Sequence, residues 1–410
     1  MAAAPSRLFH GWIVVAASFA VLFMGFGTAY TFAAFFAPLQ EEFGAMRSAT
    51  ALIFSIAGAV YFLLGAVSGP LADRLGPRWI VFAGMIILAA GLILAGRASQ
   101  LWQVYVGYGL GVGIGIGLVY VPVLGAVQRW FLKRRGQASG IAVAGIGLGT
   151  LFLPPLAALL IETAGWRVSY FILGLATLLI GGGAALLMEN DPERRGLRPD
   201  GEAVAANAPP PARPEGMSIA QAIRTRPFWL MYGTFFFVAI GLFVPFVHLV
   251  PYARDRGVEP EVAVILFSLI GIGSTAGRFF LGGIADRLGR RQSLAATFLG
   301  MAFVFGFWLL ADGSIAISLF ALLFGLCYGG FVALSPPVIA DYFGPRNAGG
   351  LIGILYSGVA VGTLIGPPLT GLAFDLWQSY TLPIAVSASF MLLGASLILL
   401  LGDPSRLRRG

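Results

Sequence analysis

One arginine stands alone in a long stretch without other charge and is the residue best suited to bind an anion. Residues 262–285 carry no charged side chain except Arg278. If this stretch spans a membrane, the charge costs about 2.5–3.5 kcal/mol on insertion scales, so a function is its default explanation. The planar guanidinium matches a carboxylate in bidentate geometry. The alternative is that Arg278, four residues before Gly282, only extends its charge to the membrane surface.

One histidine is a candidate proton carrier. His248 lies in the charge-free stretch 227–253, and histidine is the side chain whose ordinary pKa lies near neutral pH. The alternative is a structural role, in which a neutral ring bonds to a backbone carbonyl.

Several uncharged side chains are candidates for the walls of a binding cavity. Prolines bend membrane helices and free backbone carbonyls, and tyrosines lie close to Pro122 and Pro336. Each tyrosine either lines such a cavity or packs between helices. The tyrosine candidates are Tyr30, Tyr120, Tyr328 and Tyr356. Phe331 and Leu148 are candidates for an apolar wall around a short acyl chain.

The elements that must position these residues are membrane-spanning helices. Hydrophobic residues make up 58% of the 410-residue chain and charged residues only 11%, against about 25% in a soluble domain. Twelve stretches of 18 residues or more are free of charge or nearly so, and about 20 apolar residues span a bilayer. The sequence therefore predicts an all-α membrane protein with twelve transmembrane helices. The stretches are 8–40, 48–72, 79–96, 98–128, 136–161, 168–188, 227–253, 262–285, 292–311, 313–340, 347–374 and 376–402.

This composition excludes an ordinary cytosolic enzyme, a secreted disulfide scaffold and a disordered protein. Cys327 is the single cysteine, and His10 and His248 are the two histidines, so we expect neither a disulfide nor a metal site. The net charge of +8 is spread between the apolar runs, where it indicates topology rather than nucleic-acid binding.

The distribution of basic residues predicts the orientation. With a cytoplasmic N-terminus, 20 lysines and arginines fall on the inner side and 5 on the outer side, which places both termini in the cytoplasm of a multi-pass inner-membrane protein. A polar, proline-rich segment divides the chain into a six-helix bundle over 1–188, a cytoplasmic linker over 189–227 and a second bundle over 228–410. Within the linker, residues 217–224 predict a short interfacial helix with Ser218 as its cap.

The two bundles are parallel repeats. The sequence GPLADRLGPR at 69–78 matches GGIADRLGRR at 282–291, an offset of 213 residues. The pairs GTLFLPPL and GTLIGPPL, Pro38 and Pro251, and Gly44 and Gly257 share this offset. Such repeats place a substrate site near the middle of the membrane, between the halves.

The D-R-L-G-x-R loops resemble the signature of the major facilitator superfamily. Residues 130–149, WFLKRRGQASGIAVAGIGLG, are similar to the fifth-helix signature of its monocarboxylate transporter family. The matching residues are Phe131, Lys133, Arg134, Arg135, Ala138, Gly140, Ala142, Ala144, Gly145 and Gly149. Trp130 and Gln137 depart from that signature, and Gly11-Trp12 weakly resembles the family's first-helix motif without its leading acid.

The resemblance implies roles for particular residues. The eighth-helix arginine of the family binds the substrate carboxylate, and Arg278 falls at that position. Because helices one, four, seven and ten line the path in this superfamily, Tyr30, Tyr120, His248 and Tyr328 are expected there. Ser274 stands where many animal members carry Asp. The family's first-helix lysine is missing too, since Lys133 is the only lysine in the chain, and Tyr30 lies near that place.

The loop charges are implied to stabilise one of two carrier states, and positive-inside topology is the alternative explanation. They are Asp73, Arg74, Arg78, Asp286, Arg287, Arg290 and Arg291.

We therefore expect a secondary active transporter of small monocarboxylates, similar to lactate or pyruvate, working by alternating access with a proton. His248 and Arg278 are the proton-coupling candidates. No Walker A sequence occurs, and Gly111, Gly113, Gly115 and Gly117 lie inside a charge-free stretch, where they predict close helix packing rather than nucleotide binding. No cofactor, metal, nucleic-acid partner or enzymatic activity is expected, and the carrier is expected to work as a monomer in the bilayer. The alternative within transport is a carboxylate exchanger of the oxalate/formate type, although that family's helix-eleven lysine has no counterpart here.

Overall fold

The structure is a computed structural model that describes residues 9–131, 134–192, 197–201, 216–344 and 346–402. Within these ranges the regular structure is helical, and the membrane-crossing helices form two bundles. The first crossing begins, and the last crossing ends, at the same end of the molecule, which we call the termini face. The other end is called the opposite face.

The first bundle contains α1 to α9, and two π-helical segments interrupt its fourth and sixth crossings. Its helices are α1 His10–Tyr30, α2 Phe32–Phe43, α3 Arg47–Leu75, α4 Pro77–Gly96, α5 Leu101–Val104, α6 Gly113–Gly117, α7 Tyr120–Trp130, α8 Arg135–Ala176 and α9 Gly183–Leu186. The π-helical segments are Tyr105–Val112 and Thr177–Gly182.

The second bundle follows the linker. A short 3-10 turn covers Pro199–Gly201 before it. Its helices are α10 Ile219–Ile223, α11 Arg226–Leu242, α12 Val244–Asp255, α13 Pro260–Leu288, α14 Arg290–Leu310, α15 Gly313–Phe343, α16 Ala348–Trp377 and α17 Thr381–Leu399.

The expected twelve crossings are confirmed, although one pair is joined. The described residues contain 11 helices long and apolar enough to span a membrane, of which one, Gly136–Leu186, is 51 residues long. That helix breaks at Gly165, where φ is 78° and the conformation is not helical. A bilayer accommodates only about 20 helical residues per crossing, so a segment of this length contains two crossings. The chain reverses direction at Gly165, between the fifth crossing and the sixth.

The internal repeat extends to the backbone turns. Gly76 and Gly289, at the end of the two D-R-L-G loops, have φ of 89° and 92° and are 213 residues apart. The break at Gly165 has its counterpart at Gln378, again 213 residues on, with φ of 51°. Glycine adopts positive φ readily and other residues rarely do. The two bundles therefore share a positive φ at both pairs of turns, although ψ is 158° at Gly165 and 33° at Gln378.

The glycines of the fourth crossing pack closely against neighbouring helices, as the sequence predicts. A Cβ atom on Gly111 would lie 2.6 Å from the Cα of Gly91 on α4. One on Gly113 would lie 2.8 Å from the carbonyl oxygen of Ala57 on α3. Small residues allow such close approach of helix backbones in membranes.

Two helix pairs join the bundles. In the first pair, α3 packs on α16, where a Cβ on Gly353 would lie 2.6 Å from that of Ala66. In the second, α8 packs on α13, where Gly147 meets the side chain of Thr275. These contacts leave α7, α8, α13 and α15 around a space between the halves.

The linker helix α10 is attached to the second bundle. Ser218 accepts a hydrogen bond from the backbone of Gln221, whose side chain in turn accepts one from the Ser218 backbone N–H, and the two form a capping box. The backbone N–H of Met217 donates to the carbonyl oxygen of Phe343 at 2.8 Å, and Asn347 Nδ2 donates to the carbonyl of Met217 at 2.9 Å. The short helix therefore lies against the ends of α15 and α16 on the termini face.

Candidate substrate cavity and closing contacts

A cavity of about 590 Å³ lies between the two halves. Four helices supply most of its wall, namely α7 and α8 from the first bundle and α13 and α15 from the second. It extends to Gln128, Gly136 and Arg290, which lie at helix ends on the termini face. The cavity is therefore accessible from that face, and its lining is mostly apolar. The polar side chains that line it are Tyr120, Gln128, Ser139, Thr275, Arg278 and Arg290.

Arg278 projects into this cavity from α13. Its Nε and Nη1 atoms are buried, and neither has a hydrogen-bond partner among the described residues. None of the described residues that line the cavity is acidic. A guanidinium in this position lacks the partner that a buried charge requires, so the cavity is prepared for an anion.

Three of the predicted tyrosines lie within electrostatic reach of Arg278. Tyr120 lines the cavity itself. Tyr30 on α1 and Tyr328 on α15 are buried, and their hydroxyls lie 3.0 Å apart in a hydrogen bond that joins the two halves. All three tyrosines lie close enough to Arg278 for its charge to reach their hydroxyls. The cluster therefore combines residues that the sequence separates by as many as 298 positions.

Four other predicted site residues do not line the cavity in this conformation. Phe331 packs between Phe235 and Phe298, at centroid distances of 5.9 and 5.8 Å, and so belongs to the interior of the second bundle. Tyr356 packs against Phe62 and Phe235. Ser274 is buried, and its hydroxyl has no partner among the described residues. Leu148 is half-buried on α8. Tyr30 and Tyr328 are likewise absent from the lining of the cavity in this conformation.

His248 is also absent from the cavity lining, because it belongs to a separate network nearer the opposite face. The ring is fully buried. Its Nε2 lies 2.8 Å from the carbonyl oxygen of Pro367, and its Nδ1 lies 3.3 Å from the hydroxyl of Tyr380. In this conformation the ring therefore makes the contact with a backbone carbonyl that a structural role would need.

The hydrogen-bond directions in this network follow from its two ends. Arg47 can only donate, and its Nη1 lies 2.7 Å from the Tyr380 hydroxyl. The carbonyl of Pro367 can only accept, so Nε2 of His248 carries a hydrogen. The Tyr380 hydroxyl can then donate to Nδ1. In this arrangement the four groups form a directed chain from Arg47 to Pro367 with a neutral His248.

Charged residues close the opposite face. Arg47 at the start of α3 binds Asp255 at the end of α12, with hydrogen bonds of 2.6 and 2.7 Å. Asp375 on α16 accepts from the backbone N–H groups of Arg47 and Ser48, both at 3.0 Å, and from the Ser48 hydroxyl at 2.7 Å. Each contact crosses between the halves. Together they keep the opposite face shut while the termini face is open.

Sequence reasoning missed these closing residues, although a signal was present. Arg47 is one of only five basic residues on the outer side of the predicted topology, and Asp255 and Asp375 border charge-free stretches. Charges at helix ends on the side poor in positive charge were therefore the available clue. Ser139 was also missed, because nothing distinguishes it in the sequence from other small residues of α8.

The D-R-L-G-x-R loops make contacts within each half. In the first half, Arg78 Nε donates to the carbonyl of Met188 at 2.8 Å. In the second, Arg290 Nη1 lies 3.0 Å from Asp341 and Arg291 donates to the carbonyl of Leu401. Arg74 and Arg287 are exposed. The side chains of Asp73 and Asp286 lie outside the described part of the chain. The pattern fits a state in which the halves are separated on this face.

The sequence is similar to a known superfamily of transporters and to named members of one of its families. The sequence model described as Major Facilitator Superfamily matches residues 17–321 and 240–410. Monocarboxylate transporter 11 of Homo sapiens is 30% identical over 398 residues, covering 94% of this chain and 81% of that protein. Monocarboxylate transporter 3 of Rattus norvegicus is 32% identical over 397 residues, covering 93% of this chain and 78% of that protein.

The fold has solved counterparts at lower identity. A bacterial homologue of the human lysosomal transporter Spinster, in an inward-facing and unoccupied conformation, superposes with a TM-score of 0.73 at 15% identity. The match covers 98% of each chain. The same homologue in an occupied inward-facing conformation gives a TM-score of 0.73 at 16% identity.

Proposed function

The chain belongs to the major facilitator superfamily and, within it, to the monocarboxylate transporter family, whose members are multi-pass membrane transporters and not enzymes. From this premise we propose that it carries small monocarboxylates, such as lactate and pyruvate, across the inner membrane together with a proton. The relatives are named for monocarboxylates, and the proposal extends that substrate class to this chain.

The observation that carries the proposal is the unpartnered guanidinium of Arg278. Two of its nitrogens are buried and face a cavity without a described acidic residue. A single carboxylate supplies one negative charge and two acceptor oxygens, which is what this site lacks. A dianion would leave one charge uncompensated in a mostly apolar space.

Alternating access follows from the two ends of the molecule. The opposite face is closed by Arg47, Asp255 and Asp375, and the cavity is accessible from the termini face. The bias of basic residues supports a cytoplasmic termini face, so this conformation is inward-open in our proposal. Transport then requires the closing contacts to break while the halves approach each other around Gly136 of the first half and Arg290 of the second.

His248 supports a route for proton coupling. In the directed chain from Arg47 through Tyr380 to His248 the ring is neutral, and a proton on Nδ1 would turn the Tyr380 hydroxyl from a donor to that nitrogen into an acceptor. Protonation of His248 would also place a second cation near Arg47. In our proposal, a protonated ring therefore favours the outward-open state, and closure of the opposite face drives the proton off the ring toward the substrate site.

Carboxylate exchange is the second candidate, and the same arginine favours it. An empty carrier holds the Arg278 charge without a counter-ion in the cavity, which makes its return across the membrane unfavourable. A carrier that returns loaded with another carboxylate avoids this cost. Exchange and symport differ in whether a pH gradient alone drives net uptake.

Purified protein in proteoliposomes tests the proposal. We expect a proton gradient, acidic outside the vesicles, to drive uptake of labelled lactate. Unlabelled pyruvate should inhibit this uptake, and oxalate should not. Counterflow without gradient-driven uptake would favour the exchanger. Oxalate counterflow at the rate of lactate would show that the site accepts a dianion and would refute the proposed substrate class.

A further inference from the structure

Ser139 has an unsatisfied hydroxyl in the substrate cavity. The residue lines the cavity from α8, and its Oγ atom is buried without a hydrogen-bond partner among the described residues. Helical serines and threonines of this protein commonly donate to the carbonyl four residues earlier, as Ser268 does to Val264 at 3.0 Å and Thr275 to Gly271 at 2.9 Å. Ser139 departs from this pattern at the place where a ligand would lie.

Other buried serine hydroxyls also lack a partner, but their positions differ. Among the described residues they are Ser18, Ser55, Ser274 and Ser293. None of these four lines the cavity. The unsatisfied hydroxyl of Ser139 therefore coincides with the cavity in a way that the others do not, and it shares this property with the Nε and Nη1 atoms of Arg278.

The packing of α8 on α13 relates Ser139 to Arg278. The helices run in opposite directions, since Gly147 lies beside Gly271 and Thr275 while a Cβ on Gly140 would lie 3.7 Å from Phe279. This register places Arg278 level with about residue 142 of α8. At 1.5 Å per residue, Ser139 then lies about 4.5 Å nearer the termini face than the level of Arg278.

We propose that Ser139 is a specificity-determining residue that selects carboxylates with a second hydrogen-bonding group, either hydroxy or oxo. This inference rests on the proposed function, in which the carboxylate binds Arg278. The rest of a three- or four-carbon acid then extends toward the termini face and reaches the serine. A hydroxyl can donate to an oxo group and can donate to or accept from a hydroxy group, so both substituents satisfy it. A plain fatty acid of equal length leaves it unpaired.

The cost of that unpaired hydroxyl sets the expected preference. A neutral hydrogen bond gained in place of an unsatisfied buried group changes affinity by about three- to tenfold. The wild-type carrier should therefore bind lactate and 3-hydroxypropionate about three- to tenfold more tightly than propionate. Substitution of Ser139 by alanine should abolish this ratio by weakening only the substituted acids.

In proteoliposomes, uptake of labelled lactate or labelled propionate is inhibited with unlabelled lactate, 3-hydroxypropionate or propionate. The inhibition constants give, for each variant, the ratio of affinities for the substituted acids and propionate. Ser139→Ala should lose the preference, while Ser139→Thr, which keeps a hydroxyl, should retain it. Ser268→Ala removes a buried hydroxyl from α13 outside the cavity and should match wild type. An unchanged ratio in Ser139→Ala, or an equal loss for propionate and the substituted acids, would overturn the inference. A wild-type protein that transports none of these acids would instead refute the proposed function.

Discussion

Arg47 and Asp255 hold the two halves together through paired hydrogen bonds of 2.6 and 2.7 Å at the opposite face. Arg47 begins the second crossing and Asp255 ends the seventh, so the pair connects the two bundles where their helices emerge. The guanidinium also lies 3.8 Å from the ring centre of Phe374 on α16. A carrier that opens on this side must break all of these contacts in one movement.

Reversal of the charge at Arg47 should shift the protein toward the outward-open state. The pair is partly exposed, with side-chain exposures of 14% and 30%, so we assign it about 1 kcal/mol, or roughly a fivefold change in the ratio of states. Spin labels at Ser99 and Ser314, exposed on the opposite face of different halves, would measure the change as a longer distance in Arg47→Asp.

The double variant provides the control for this gate. Arg47→Asp combined with Asp255→Arg restores opposite charges and should return part of the distance distribution to that of wild type. If Asp255→Arg alone has no effect on the distribution, or if the double variant is as open as Arg47→Asp, the pair does not hold the gate.

Replacement of Arg278 by glutamine should remove substrate binding from a protein that still folds. Loss of a buried, charge-assisted pair costs about 2–5 kcal/mol, which corresponds to roughly 30-fold or more in affinity. Arg278→Lys should recover little, because an ammonium lacks the planar pair of donors. Calorimetric titration with lactate measures the effect, and Arg97→Gln, an exposed charge on the opposite face, is the matched control. Affinity within threefold of wild type in Arg278→Gln would exclude the proposed anchor.

Substitution of His248 by glutamine should separate proton coupling from substrate movement. An amide can bond to the Pro367 carbonyl but does not titrate near neutral pH, so we expect loss of pH-gradient-driven lactate uptake with counterflow preserved. Both activities are measured in the same proteoliposomes. Retention of the normal pH dependence in both assays would assign His248 a structural role only.

The orientation can be measured with one introduced thiol. Cys327→Ala removes the only native cysteine, which is half-buried, and Ala205→Cys then places a single thiol in the linker. We expect an impermeant maleimide to label this variant only after the inner side becomes accessible. Gln100→Cys, on the exposed opposite face, should show the reverse pattern. Labelling of residue 205 in intact cells would invert the proposed topology.

The membrane-spanning framework was predictable because the bilayer constrains it strongly. Backbone groups in hydrocarbon must be satisfied within helices, so long charge-free stretches identify the crossings almost by themselves. Arg278 was predictable for the related reason that an isolated charge is costly there. The break at Gly165, which separates the fifth crossing from the sixth, also lies in the predicted gap between 161 and 168.

The direction of each side chain around its helix was not predictable. Helix α15 is apolar on all sides, so no periodicity distinguishes Tyr328, which bonds across the halves, from Phe331, which packs inside its own bundle. His248 presented the same problem. Its helix follows a break near Phe243, and the partners that fix the ring, Pro367 and Tyr380, come from distant parts of the chain.

The charge of Arg278, whose Nε and Nη1 atoms have no partner among the described residues, predicts that the carrier responds to the electrical potential of the membrane. A voltage negative on the cytoplasmic side attracts an uncompensated positive charge toward that side, with about 2.3 kcal/mol per 100 mV if the charge crossed the whole field. In the proposed orientation, the empty protein is therefore held in its inward-open form. A bound monoanion cancels the charge of Arg278, but the co-transported proton of the proposed symport restores one positive charge, so the loaded form responds in the same way. We expect hyperpolarisation of proteoliposomes with potassium and valinomycin to slow net lactate uptake and lactate–lactate exchange alike. Slowing of net uptake alone would show that the loaded form is neutral and that lactate moves without a proton.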